Sequence, residues 1–243
     1  MKTLSLAKRC TKEILRDKLN IIFGLGFPLT LLFLLSAMQK NIPNDLFSID
    51  TLAPGISIFG LSFITLFSST LISKDRESEF LTRLYTAPIK AHSFIISYMF
   101  PLIPLSLFQA AICYLAAIPL GITPTWNIFL CLIAILPISI LYIGLGLFFG
   151  SFLNTKQVGG ICGALLTNLS AWLSGIWFDV ALVGEGFAKI ANLLPFVHAV
   201  NLERNLLSGN FDSLIFDIYP ILIYDIIVCI GAILVFIRQM KKQ

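Results

Sequence analysis

The sequence predicts an all-α membrane protein with six transmembrane helices, and three observations predict it. The 243 residues are 57% hydrophobic and only 12% charged, with a mean hydropathy of +0.90; a soluble domain carries about 25% charged residues. Six stretches are long and apolar enough to cross about 30 Å of hydrocarbon, which takes about 20 residues. The basic residues stand just outside those stretches and are divided unequally between the two sides. The net charge of +4 therefore reads as membrane orientation and not as a surface for nucleic acid.

The spans are expected at about 19–38, 53–73, 94–120, 127–150, 159–178 and 216–237. A spanning segment must satisfy its own backbone hydrogen bonds, and these runs are too continuously apolar for alternating barrel strands. Placing the N-terminus in the cytoplasm puts 14 Lys and Arg inside: Lys2, Lys8, Arg9, Lys12, Arg16, Lys18, Lys74, Arg76, Arg83, Lys90, Lys156, Arg238, Lys241 and Lys242. Only 3 fall outside, namely Lys40, Lys189 and Arg204. That asymmetry sets both termini inside, and a span added or removed would scramble it. The first apolar run, from Ile21 to Met38, follows a long segment of mixed charge and is not closed by a small-x-small site. A retained signal anchor is expected, not a cleaved leader. No repeat or linker divides the chain, so a single membrane domain, 1–243, is predicted.

Before the first span, Leu4, Ala7, Cys10, Ile14 and Leu15 fall roughly on one helical face, and Lys8, Arg9, Lys12 and Arg16 occupy much of the rest. This predicts a helix lying at the inner interface, with its cations toward lipid headgroups. The cytoplasmic loop after the second span reads SKDRESEFLTRLYTAPIKAHS. Asp75 is placed to cap a short helix that Pro88 ends. Glu79 and Arg83 form an i,i+4 pair, and Phe80, Leu81 and Leu84 make a small apolar face. A helix this short is marginal alone in water; the membrane surface, the inner helix ends or a partner must cover that face. The external segment 179–215 is expected to hold two short, re-entrant or surface-lying helices broken near Pro195. Phe187, Ile190, Leu193 and Leu194 would turn toward the bilayer.

Asp225 lies near the middle of the last span, where an acid costs about 2.5–3.5 kcal/mol on insertion scales. It must face the protein interior or a wet cavity, as a path residue or as a hydrogen-bonded packing residue. Asp217 belongs near the outer surface. Gly146 and Gly150, and Gly159 and Gly163, repeat at the four-residue spacing that allows close helix packing. Four of the five cysteines, Cys113, Cys131, Cys162 and Cys229, fall within apolar runs and read as packing residues.

No lysine follows a glycine, which excludes a Walker phosphate loop. The two histidines, His92 and His198, fall on opposite sides of the membrane. No H-E-x-x-H or G-x-S-x-G occurs, and no cluster of acids or histidines near one interface suggests a lipid-processing enzyme. A non-catalytic transporter without its own motor is what these absences leave.

The chain resembles the permease subunit of a type 2 ABC exporter over its whole length. Three stretches carry the resemblance. KEILRDKLNIIFGLGFPLTLLFLL is similar to that family's interfacial helix running into its first span, with Gly24, Gly26 and Pro28 in the matching places. KDRESEFLTRLYTAPIKAHSF is similar to its coupling segment, where Glu77, Leu81, Leu84, Thr86, Pro88 and Lys90 match; Ser78 stands where a glycine is common. LPFVHAVNLERNLLSGNF is similar to the stretch before the last span, with Pro195, Arg204 and Gly209 in place.

The resemblance implies two permease chains, alike or sibling, docked on two ABC ATP-binding subunits that hold the ATP and Mg; this chain itself would need no cofactor. It implies that residues around Arg76, Glu77, Glu79, Phe80, Leu81, Arg83, Leu84, Thr86 and Pro88 couple to the ATPase. It also implies that the first, second and fifth spans line the seam and path, with Gly24, Gly26, Pro28, Gly159 and Gly163 as candidates and Asp225 as a further one. The expected cargo is a drug, peptide, lipid or lipid-linked glycan, and the expected location a bacterial cytoplasmic membrane. The competing expectation is a self-contained secondary transporter or channel that uses Asp225.

Overall fold

The computed structural model describes residues 2–42, 47–78, 80 and 91–240. In chain order the helices are α1 Lys2–Arg16, α2 Lys18–Gln39, α3 Ile49–Glu77, α4 Ala91–Ala117, α5 Trp126–Gly150, α6 Thr155–Val158, α7 Thr167–Leu173, α8 Glu185–Leu193, α9 Pro195–Ser208 and α10 Leu214–Met240. Two 3₁₀ turns, Ile118–Leu120 and Val180–Val183, punctuate the connections. No strand occurs among the described residues.

Five of the six expected spans are present as helices long and apolar enough to cross a membrane: α2, α3, α4 with its 3₁₀ extension, α5 and α10. The span expected at 159–178 takes another form. Its helical path begins earlier, at Thr155, and ends at Leu173, and between α6 and α7 it runs through wider π-helical turns at Gly159–Leu166. Wider turns rise less per residue, and Ser174–Phe178 leave the helix altogether. The physical cause lies in the sequence GGICGALL, whose small residues at 159, 160 and 163 resist an extra residue per turn least.

α3 is the central element. In its most apolar stretch 83% of the residues are buried, against 22–44% for the other four spans. It earns that place with small polar residues that let neighbours close in. Ser57, Ser62, Thr65, Ser68, Ser69 and Ser73 are all buried, and most satisfy their hydroxyls on their own helix. Thr65 and Ser68 also donate across to the carbonyls of Tyr142 and Ile143 on α5, at 2.8 and 3.1 Å. Gly146 and Gly150 meet the same face. A Cβ at Gly146 would stand 2.3 Å from the Thr65 carbonyl oxygen, and one at Gly150 would stand 2.4 Å from that of Ser69. The glycine spacing on the fourth span thus packs α5 onto α3 within one chain.

α1 is turned differently from the sequence expectation. Leu6, Ala7, Cys10 and Ile14 are buried, whereas Leu4 and Leu15 remain 65% and 63% exposed. The helix packs on α4, where the Ser97 hydroxyl donates to the Thr3 carbonyl at 3.0 Å. A protein contact, not only a lipid surface, therefore selects the buried stripe. The two short helices expected before the last span are present and break at Leu194, before Pro195. Their inward face is carried by α9 through Phe196, Val197, Ala199, Val200, Leu202 and Leu206. Ile190 and Leu193 of α8, expected to turn toward the bilayer interior, are exposed at the protein surface, and Ala191 is the buried residue of that helix. Gly209 ends α9 in the left-handed conformation, φ +76°, which a glycine adopts without a Cβ penalty.

Candidate functional site

The C-terminal end of α3 is braced by a dense set of polar contacts. The expected span ends at 73, but the helix runs on to Glu77, so Asp75 sits in its last turn and does not begin a new helix. Asp75 is buried, at 3% exposure. The Arg9 guanidinium grips it from α1 with two bonds, Nη1 to Oδ2 at 2.7 Å and Nη2 to Oδ1 at 2.5 Å. The Tyr98 hydroxyl of α4 donates to the same carboxylate at 2.5 Å. Arg9 also reaches Glu13, one turn on, at 2.6 Å. This bidentate pair with a hydroxyl donor satisfies the buried acid, and its carboxylate holds Arg9 firmly in the charged form.

Burial pushes the Glu13 carboxyl up despite its arginine, and pushes the neighbouring Cys10 thiol up to about 12. A thiol so protonated is an inert packing group. All five cysteines are free, and four are buried.

The coupling residues expected from the sequence divide at this point. Glu79, Leu81, Arg83, Leu84, Thr86 and Pro88 lie outside the described residues. Phe80 is half-buried, and the Arg9 guanidinium stacks over its ring at 3.7 Å. Arg76 donates to the carbonyls of Ser151 and Leu153, at 2.8 and 2.5 Å, capping the end of α5. Glu77 accepts from the backbone N–H and the hydroxyl of Thr155, at 2.7 and 2.6 Å. So Arg9, Asp75 and Tyr98 brace one side of the α3 terminus, and residues 151–155 brace the other.

The candidate path residues are scattered. Gly24 packs against the Phe67 ring of α3, Gly163 against Leu66, and Pro28 is buried within α2. Gly26 and Gly159 face no atom within 4 Å. Asp225 is buried on the face of α10 that also carries Ile221, Ala232 and Phe236. That face meets α5, where Gly144 would bring a Cβ to 3.0 Å from Val228. Asp225 Oδ1 has no hydrogen-bond partner among the described residues.

At the opposite end of α3, Arg204 spans two elements. Its Nε donates to the Thr51 carbonyl at 3.2 Å and its Nη2 to the Gly175 carbonyl at 3.1 Å, and burial lowers its pKa. It forms part of a cleft of about 380 Å³ with Trp177, Asp179 and Asn201. His198 pairs with Asp217 at 3.0 Å and with the Asn192 carbonyl at 2.9 Å. Asn205 donates to the other Asp217 oxygen at 3.0 Å. Asp217 is therefore not merely solvated; it is the hub that joins α9 to α10.

Glu203 escaped the sequence reading. It is fully buried; the Tyr114 hydroxyl donates to its Oε2, and its Oε1 has no partner among the described residues. A signal was present: Phe196, Val200, Glu203 and Leu206 recur at helical spacing, which puts the acid on the apolar face. With no cation bonded to it among the described residues, burial favours the neutral acid.

Long apolar helices around a buried central one, with ionic bonds gathered at the two ends, define an integral membrane protein of the helix-bundle class. Residues 1–207 match the ABC-2 type transporter family, and the chain belongs to that family. It is similar to the transport permease ycf38 of Porphyra purpurea, 30% identical over 220 residues, and to that of Pyropia yezoensis, 28% identical over 220 residues. Each match covers 84% of this chain and 73% of the relative. The chain is thus a membrane transport permease by family, as its three resembling stretches implied.

Proposed function

We propose that this chain is the membrane half of an ATP-driven exporter. Two permease chains pair, and an ABC ATP-binding subunit docks on each from the cytoplasm, supplying ATP and Mg chemistry that this chain does not perform. Segment 79–90 is the docking element, with Phe80 and Leu84 in a groove of the ATPase. The observation that carries this reading is the doubly braced end of α3, which leads directly into that segment. A lever must be stiff at its root, and Arg9, Asp75, Tyr98, Arg76 and Glu77 supply the stiffness. The helical path from Thr155 to Leu173 completes six crossings, with both termini in the cytoplasm and the bacterial cytoplasmic membrane as the expected site. The apolar, weakly charged interior suits an amphipathic cargo: a drug, a peptide, a lipid or a lipid-linked glycan.

The test is a tagged purification of the chain from its native membrane in mild detergent, followed by an ATPase assay. An ATP-binding subunit in the eluate with vanadate-sensitive hydrolysis is the expected result. The double variant F80D/L84D should release that subunit while leaving the permease inserted, and unchanged co-purification sinks the docking assignment. A second reading has one observation in its favour, the unpartnered oxygen of buried Asp225. A preparation stable on its own and free of hydrolysis points to a secondary transporter or channel that uses this acid.

A further inference from the structure

We infer that Glu77 is a positioning residue that carries movement of the α3 terminus into the helical path beginning at Thr155; the inference rests on the ATPase-docking reading above. Glu77 and Thr155 are 78 residues apart in sequence, and both oxygens of the Glu77 carboxylate are used on Thr155, one on its N–H and one on its hydroxyl. Arg76, the preceding residue, holds the carbonyls of Ser151 and Leu153. Two consecutive side chains at the root of the docking segment thus make four bonds to the one turn that joins α5 to α6. A displacement of that root cannot leave the turn behind.

Glu77 is not needed to start the helix at Thr155. Asn154 already caps it, accepting from the Gln157 N–H at 2.8 Å while Gln157 returns a bond to the Asn154 N–H at 3.1 Å. The Glu77 bonds are solvent-exposed, and exposed polar bonds contribute little to net stability. Their geometric value is larger than their energetic one. Just beyond α6 come the π-helical turns Gly159–Leu166. Turns of this width are rare and occur frequently at functional sites. Gly159 and Gly160 face open space there, while Gly163 touches Leu66 of α3. The stretch that follows the clamp is therefore the part of this path best able to rewind when Thr155 is pulled.

The test uses the co-purified permease–ATPase complex and hydrogen–deuterium exchange of residues 155–166, with and without ATP and vanadate. In the wild type, trapping should change exchange across 155–166. In Glu77→Ala that change should be lost while the ATPase still co-purifies with the permease. Glu77→Gln should restore it, because the amide can accept from the Thr155 N–H and donate to the hydroxyl. Wild-type behaviour in Glu77→Ala overturns the inference, as does a wild-type complex whose residues 155–166 do not respond. If Glu77→Ala fails to fold, the residue is a structural clamp and the inference is overturned. The absence of an ATPase from the wild-type preparation is a different result: it removes the docking reading itself.

Discussion

Asp75 shows how one residue can tie three helices. A carboxylate this buried is tolerated because Arg9 and Tyr98 satisfy it from α1 and α4. Removing one partner of such a pair leaves an uncompensated charge, which costs about 3–5 kcal/mol when both are buried. Arg9 retains 30% side-chain exposure, so Arg9→Met should cost about 3 kcal/mol, the low end of that range. Asp75→Asn should cost a similar amount, and the double variant less than the two together. Thermal unfolding in detergent measures this, and strict additivity would show that the pair is not coupled.

His198 carries a pH dependence where α9 meets α10. Its pKa is raised by the hydrogen bond to Asp217. A histidine whose folded pKa is raised stabilises the fold fully below its unfolded value, about 6.5, and loses that contribution as pH rises through the folded value. The melting temperature of His198→Gln should therefore fall furthest below wild type near pH 6, and the gap should narrow toward pH 9. A gap independent of pH would assign the residue to packing alone.

At the scale of elements, the α3–α5 contact depends on backbone approach. A Cβ at Gly150 would lie 2.4 Å from the Ser69 carbonyl oxygen and 2.7 Å from the Ser69 Cα. Neither atom can swing aside as a side-chain tip does, so the helices must part. Gly150→Ala should destabilise by about 3 kcal/mol, the upper part of the usual overpacking range, and Gly150→Leu should prevent folding. Gly159→Ala, in open space, should be neutral to slightly stabilising. Equal unfolding midpoints for Gly150→Ala and wild type would contradict this packing. The same contrast shows why glycine spacing alone is ambiguous: the two pairs read alike in sequence, but only the one on α5 meets α3 backbone at contact distance.

The whole molecule turns on the path from Thr155 to Leu173. If it crosses the membrane, Lys156 and Lys189 lie on opposite sides; if it does not, they share one. In a cysteine-free background, Lys156→Cys should react with an impermeant maleimide only from the cytoplasmic side and Lys189→Cys only from the outer side. Labelling of both from the same side would reduce the crossings to five and separate the termini.

The sequence alone determined the class of this protein. Hydrophobic run length is a one-dimensional signal, because the bilayer acts on each segment separately. Five spans, the helix pair broken before Pro195, and family membership followed from it and from three short stretches. The tertiary structure decided what depends on rotation about a helix axis and on distant partners. Leu6 and not Leu4 is buried on α1 because α4 supplies the competing surface. Asp75 ends α3 instead of starting a helix because Arg9 and Tyr98 compensate its burial. Glu203 lies inside because Tyr114, 89 residues away, offers it a hydrogen bond. Periodicity gives a residue its face, but only packing decides which face turns inward, and a buried charge is settled by a partner that sequence proximity does not disclose.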